Sequence, residues 1–157
     1  MKTVYGLMLF LGFLLVGNPS LFAHCEVPCG IYGDENRLQV MAEHVATIEK
    51  AINQIGALSK EGDKNYNQIV RWVNTKENHA NELQHIVTQY FMTQRVKPVD
   101  PKDGEKHKAY QEQVTALHQM LVYAMKTKQS LDLENVEKLK GLLNGFHNAY
   151  MGAHQHK

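Results

Sequence analysis

From Leu38 onward the apolar side chains recur in alternating steps of three and four, and this spacing constrains the chain more than any other feature. Leu38, Met41, Val45, Ile48, Ile52 and Ile55 form one such stripe, which becomes a continuous face only on an α-helix. A second stretch carries Ile69, Trp72, Val73, Leu83, Ile86, Val87, Tyr90 and Phe91, with His79 and Ala80 on the same side. A third is Tyr110, Val114, Leu117, Leu121, Ala124 and Met125, and a fourth is Val136, Leu139, Leu143, Phe146 and Tyr150. No segment alternates with period two over a useful length. Asp34 is the expected N-cap of the first helix and Gly62 lies past its end. Pro98 and Pro101 stop the second helix, and Ser130 and Asp132 are capping candidates for the fourth. Short connections make neighbouring helices antiparallel, so the expected fold is all-α, an antiparallel up-down four-helix bundle.

The stripes leave the N-terminus unexplained. Residues 1–23, MKTVYGLMLFLGFLLVGNPSLFA, have one positive charge at Lys2, an apolar run over residues 4–16, a Gly-Asn-Pro-Ser break and a terminal Ala23. That three-part pattern is a secretory signal peptide, and the run is shorter than the roughly 20 residues of a membrane span. Removal of this leader would leave residues 24–157 as one exported domain, periplasmic or extracellular, with no stable membrane association. Of the 17 basic and 16 acidic side chains of the 157-residue chain, the leader holds one lysine and no acid. The remainder is electrically balanced, which argues against a nucleic-acid partner. Two cysteines build neither a disulfide framework nor a four-cysteine zinc site.

Those two cysteines lie in HCEVPCGIYG, residues 24–33, between the leader and the first stripe. Cleavage after Ala23 frees the α-amino group of His24. Within six residues the chain then offers an amine, the His24 imidazole, the Cys25 peptide nitrogen and the thiols of Cys25 and Cys29. The amine and the next peptide nitrogen close a five-membered chelate ring, and the Cys25 thiolate closes another. Nitrogen and sulfur donors in one plane suit Ni(II) or Cu(II), whereas zinc prefers tetrahedral sites without amide nitrogen. Val27-Pro28 can turn the chain so that Cys29 returns to the same metal, and Gly30 permits close or left-handed backbone. A C-x3-C pair in an exported chain can equally form a disulfide. The readings open at this point are a redox metal site, a nickel or copper carrier, and a secreted helical binding module with a Cys25-Cys29 disulfide.

HCEVPCGIY closely resembles the nickel-binding hook of the nickel superoxide dismutases, whose mature N-terminus follows H-C-x-x-P-C-G-x-Y after loss of a leader. The stretch RWVNTKENHANEL followed by QYF is similar to the second helix of that family. The resemblance implies an irregular N-terminal metal-binding hook joined to the four-helix bundle. It implies one nickel ion per subunit, held by the His24 amine, the Cys25 peptide nitrogen and the two thiolates, with the His24 imidazole as axial ligand of Ni(III). The activity implied is conversion of superoxide to dioxygen and hydrogen peroxide by Ni(III)/Ni(II) cycling. Thiolates and an anionic amide donate charge, which brings the Ni(III) state within reach. Catalytic roles are thereby implied for His24, Cys25, Cys29 and Tyr32, with Tyr32 beside the open metal face. Pro28 and Gly30 would shape the hook, and Tyr90 matches a second tyrosine nearby. The family is typically a homohexamer. It supports the axial imidazole with a carboxylate and an arginine, at positions aligned here with Gln39, or Glu43 with a shift, and His79. The sequence thus departs from the family at that support.

The remaining histidines, His44, His85, His107, His118 and His147, lie on helical stretches as surface or hydrogen-bonded residues. Glu82 and His85 form a single E-x-x-H, whereas a di-iron bundle requires the motif twice. The tail with His154 and His156 is read as solvated.

Overall fold

The computed structural model describes residues 33–154, and every regular element among them is helical. Helix α1 spans Asp34–Leu58 and α2 spans Tyr66–His85, joined by a 3-10 segment, Ser59–Asn65. Gly62 turns the chain there at φ 71°, a left-handed value favourable to glycine. A π-helical segment, Ile86–Arg95, prolongs α2. Helix α3 spans Gly104–Gln129 and α4 spans Leu133–His154. The leader and the proposed hook, residues 1–32, lie outside the described residues, as do residues 155–157 with His156.

Cross-helix contacts give the register directly. His44 meets His79 and Lys50 lies over the Trp72 ring, while Asp34 reaches Tyr90 at the start of α1. The α2 numbers fall as the α1 numbers rise, so these helices are antiparallel. Lys76 with Thr127 and Gln84 with Leu121 make the same argument for α2 and α3. Glu35 with His147 and Glu49 with Lys140 make it for α1 and α4. The expected up-down bundle follows, with α1 packed between α2 and α4 and α3 packed against both of them.

All six residues of the first stripe and all five of the fourth are buried. Burial of this apolar area is what holds the helices together, at about 25 cal/mol per Å². The other stripes need correction. Met125 is 40% exposed; the inward positions of α3 are Leu117, Met120, Ala124 and Thr127, which follow the helical repeat one step away from Met125. In α2, Ile69, Trp72 and Val73 are only half-buried, and the apolar stripe is fully buried only from Ala80 onward. The wider π turns keep residues four apart in line, so Ile86, Tyr90 and Gln94, and Val87 with Phe91, all face inward.

Two predicted caps had different outcomes. Asp132 Oδ1 accepts the Glu134 backbone N–H at 2.9 Å at the head of α4, as a capping aspartate does. Asp34 caps nothing: it is the first residue of α1, and Gly33, at φ 79°, precedes it without a side-chain cap. The carboxylate of Asp34 is occupied across the bundle instead.

The end of α3 is closed from outside the helix. Lys76, 3% exposed, donates from Nζ to the carbonyls of Thr127 (2.5 Å) and Lys128 (2.6 Å). A cation on the last carbonyls complements the helix dipole, and the same burial depresses the Lys76 pKa. No helix of the described residues is long and apolar enough to cross a membrane.

Candidate metal centre

At one end of the bundle the first turn of α1 meets the π-helical segment and the last turns of α4. Asp34 is the hub. Its Oδ1 accepts the Tyr90 hydroxyl at 2.6 Å, and its Oδ2 accepts both the Tyr150 hydroxyl at 2.7 Å and Arg95 Nη2 at 2.6 Å. Burial by itself raises the Asp34 pKa, but the donors from Arg95, Tyr90 and Tyr150 outweigh it and hold the carboxyl below its usual 3.8. The Tyr90 hydroxyl is pushed up to about 12, first by burial and then by the hydrogen bond to Asp34. Tyr150 is raised for the same two reasons in the same order. Both phenols therefore remain protonated and donate towards Asp34.

Aromatic packing fixes the hub from below. Phe91 stands edge-on to Tyr90, Phe146 and Tyr150, with centroids 5.2, 5.0 and 5.5 Å away, separations at which the ring quadrupoles attract. Arg37 and Arg95 approach the Tyr90 ring at 5.4 and 5.8 Å. Their Nε–H groups are buried and meet no acceptor among the described residues.

The predicted site residues are placed as follows. His24, Cys25, Cys29, Pro28, Gly30 and Tyr32 lie outside the described residues, immediately ahead of Gly33 and the Asp34 hub. Tyr90 is in the hub. Gln39 is exposed and lines a shallow groove between α1 and α4 with Glu35, Asn144 and His147; Glu35 and His147 are joined at 2.9 Å. Glu43 is exposed. His79 pairs across the α1–α2 interface with His44, Nδ1 to Nδ1 at 2.8 Å. Gln39 and His44 are five residues apart, about 140° around the helix. Gln39 and His79 are therefore not brought together within the chain.

Sequence reasoning missed Asp34 as a hub, and with it Arg95 and Tyr150. Asp34 carried a signal, an acid just ahead of an apolar stripe, but that signal also marks a cap. Tyr150 was visible only as core, and Arg95 had no signal at all.

Two thiolates and a deprotonated amide form an anionic set suited to Ni(II). The segment that would carry them precedes the N-terminus of α1 in sequence; the dipole there favours negative charge, and the Nε–H groups of Arg37 and Arg95 meet no acceptor among the described residues. The chemistry of this donor set suits nickel.

The chain matches the nickel-containing superoxide dismutase family over residues 20–154 and belongs to it. No curated protein and no solved structure matches it. Family membership makes the protein a nickel-dependent oxidoreductase acting on superoxide, and the metal-free binding module is set aside.

Proposed function

We propose that this nickel superoxide dismutase builds its centre from residues 24–32 after removal of residues 1–23, with the His24 amine and imidazole, the Cys25 amide nitrogen and the Cys25 and Cys29 thiolates as ligands. The observation that carries this reading is the HCEVPCGIY segment leading directly into the first turn of α1, which Asp34 ties to α2 and α4. Nickel, when bound, supplies the one-electron couple that both oxidises and reduces superoxide.

The chain's own residues do the rest. Pro28 and Gly30 would turn the segment, and the Tyr32 hydroxyl would order a small molecule and narrow access to the metal. Tyr90 is a post rather than an acid, because its proton is held on the phenol oxygen and directed at Asp34. Arg37 and Arg95 offer their Nε–H groups to the anionic segment. Support of the His24 imidazole by Gln39 and His79 is not part of this reading, because His79 Nδ1 already meets His44 Nδ1 at 2.8 Å. Export to a periplasmic or extracellular location and assembly as a homohexamer complete the proposal.

Native mass spectrometry of protein purified from its own host tests it. The expected species begins at His24 and carries one nickel per subunit in a hexamer, with superoxide removed catalytically. A chain that retains residues 1–23 yet is fully active, or an active chain with the Cys25-Cys29 disulfide closed, would overturn the proposed ligand set.

A further inference from the structure

His44 and His79 face each other from the middle of α1 and α2, both half-buried, with Nδ1 atoms 2.8 Å apart and ring planes inclined at 60°. Ten residues separate His44 from Asp34, about 15 Å along the helix, so the pair is remote from the hub. Two metal–nitrogen bonds of about 2.0 Å meeting at a right angle place their nitrogens about 2.8 Å apart; a tetrahedral angle would need about 3.3 Å. The observed spacing is that of the hydrogen bond between the rings, and it also lies within reach of two cis ligands on one ion in a tetragonal site, the preference of Cu(II) and Ni(II). In the metal-free protein one ring donates its Nδ1–H to the other. Moving that proton to Nε2 leaves both Nδ1 lone pairs free for a shared ion.

We propose that His44 and His79 form a second divalent-metal site that takes a tetragonal ion such as Cu(II) through the two Nδ1 atoms. The carboxylates of Glu43, next to His44, and Glu82, one turn beyond His79, both act electrostatically on His44 and give the site a negative surround. No group of three or more His, Cys, Asp or Glu side chains among the described residues is already placed to hold a metal. The other coordination positions therefore fall to water, or to these carboxylates after side-chain rotation.

The test uses the full mature chain carrying Cys25→Ser and Cys29→Ser, which removes both thiolates, and titrates it with Cu(II) by electron paramagnetic resonance and calorimetry. Adding His44→Gln and His79→Gln is expected to remove one equivalent of bound Cu(II) per chain and the signal of two cis imidazoles. Unchanged stoichiometry in a variant with native helicity overturns the proposal. A measurement without histidine variants guards against misfolding: substoichiometric Cu(II) should broaden the ring resonances of His44 and His79 together in the doubly Ser-substituted chain. Broadening confined to His24 or to the tail histidines overturns it. Neither outcome bears on nickel binding by the unsubstituted cysteines.

Discussion

Tyr150 and Asp34 are 116 residues apart in sequence and 2.7 Å apart in space, hydroxyl to carboxylate. That contact ties the last helix to the first turn of the first. With Tyr90 and Arg95 on the same carboxylate, a single side chain joins three of the four helices.

Replacement of Asp34 by alanine leaves the Arg95 charge and two buried hydroxyls without their shared acceptor. Breaking a largely buried charged network costs about 3 kcal/mol, and the melting temperature of a chain this size falls about 2–4 °C per kcal/mol. Calorimetric melting should show a drop of roughly 6–12 °C.

The same carboxylate gives a pH dependence of known sign. Because its folded pKa lies below 3.8, the stabilisation is fully present above that value and is lost as the pH falls through the folded pKa. Asp34→Asn should flatten this acid limb while leaving the slope near neutrality unchanged, as read by denaturant unfolding at a series of pH values.

Tyr90→Phe removes one donor and keeps the ring against Phe91. The expected loss is about 1 kcal/mol, together with a rise of the Asp34 pKa towards its ordinary value. Carboxyl titration by NMR in wild type and variant reads this shift.

Cys25→Ser or Cys29→Ser should abolish nickel binding and superoxide removal while the helical melting transition stays within about 0.5 kcal/mol of wild type. Addition of one residue before His24 should have the same effect, because it moves the amine away from the chelate. Metal analysis and circular dichroism on the same samples separate loss of metal from loss of fold.

Lys76→Met keeps the stem and removes the ammonium from the two carbonyls ending α3. The expected cost is about 2 kcal/mol, and hydrogen exchange should accelerate first at Lys126, Thr127 and Lys128.

Much of this fold was legible because periodicity reports burial. Leu38 to Ile55 and Val136 to Tyr150 obey one helical repeat along a single buried face, and each stripe is core as read. The repeat failed where geometry changed or a face was shared. Met125 falls near the edge of its stripe, so a small rotation of α3 carries it to solvent and Met120 and Thr127 inward. The π turns beyond Ile86 have no sequence signature at this resolution of pattern. Polar relationships across the bundle were the least legible: nothing in the chain marks Asp34 as the partner of Arg95, or His44 as the partner of His79, because hydrogen bonds between distant elements leave no spacing rule behind. The family was legible in the HCEVPCGIY segment for the opposite reason, since its candidate donors are all local in sequence.

The anchoring of Asp34 also bears on how a metal is captured. Ten residues separate it from His24, and an extended chain of that length spans at most roughly 35 Å. Every donor atom of the proposed ligands His24, Cys25 and Cys29 is thus tied by a short length of chain to one fixed point on the bundle. An ion held first by a single sulfur meets the remaining donors at the high effective concentration of a short tether, so ring closure can outpace escape to bulk solvent.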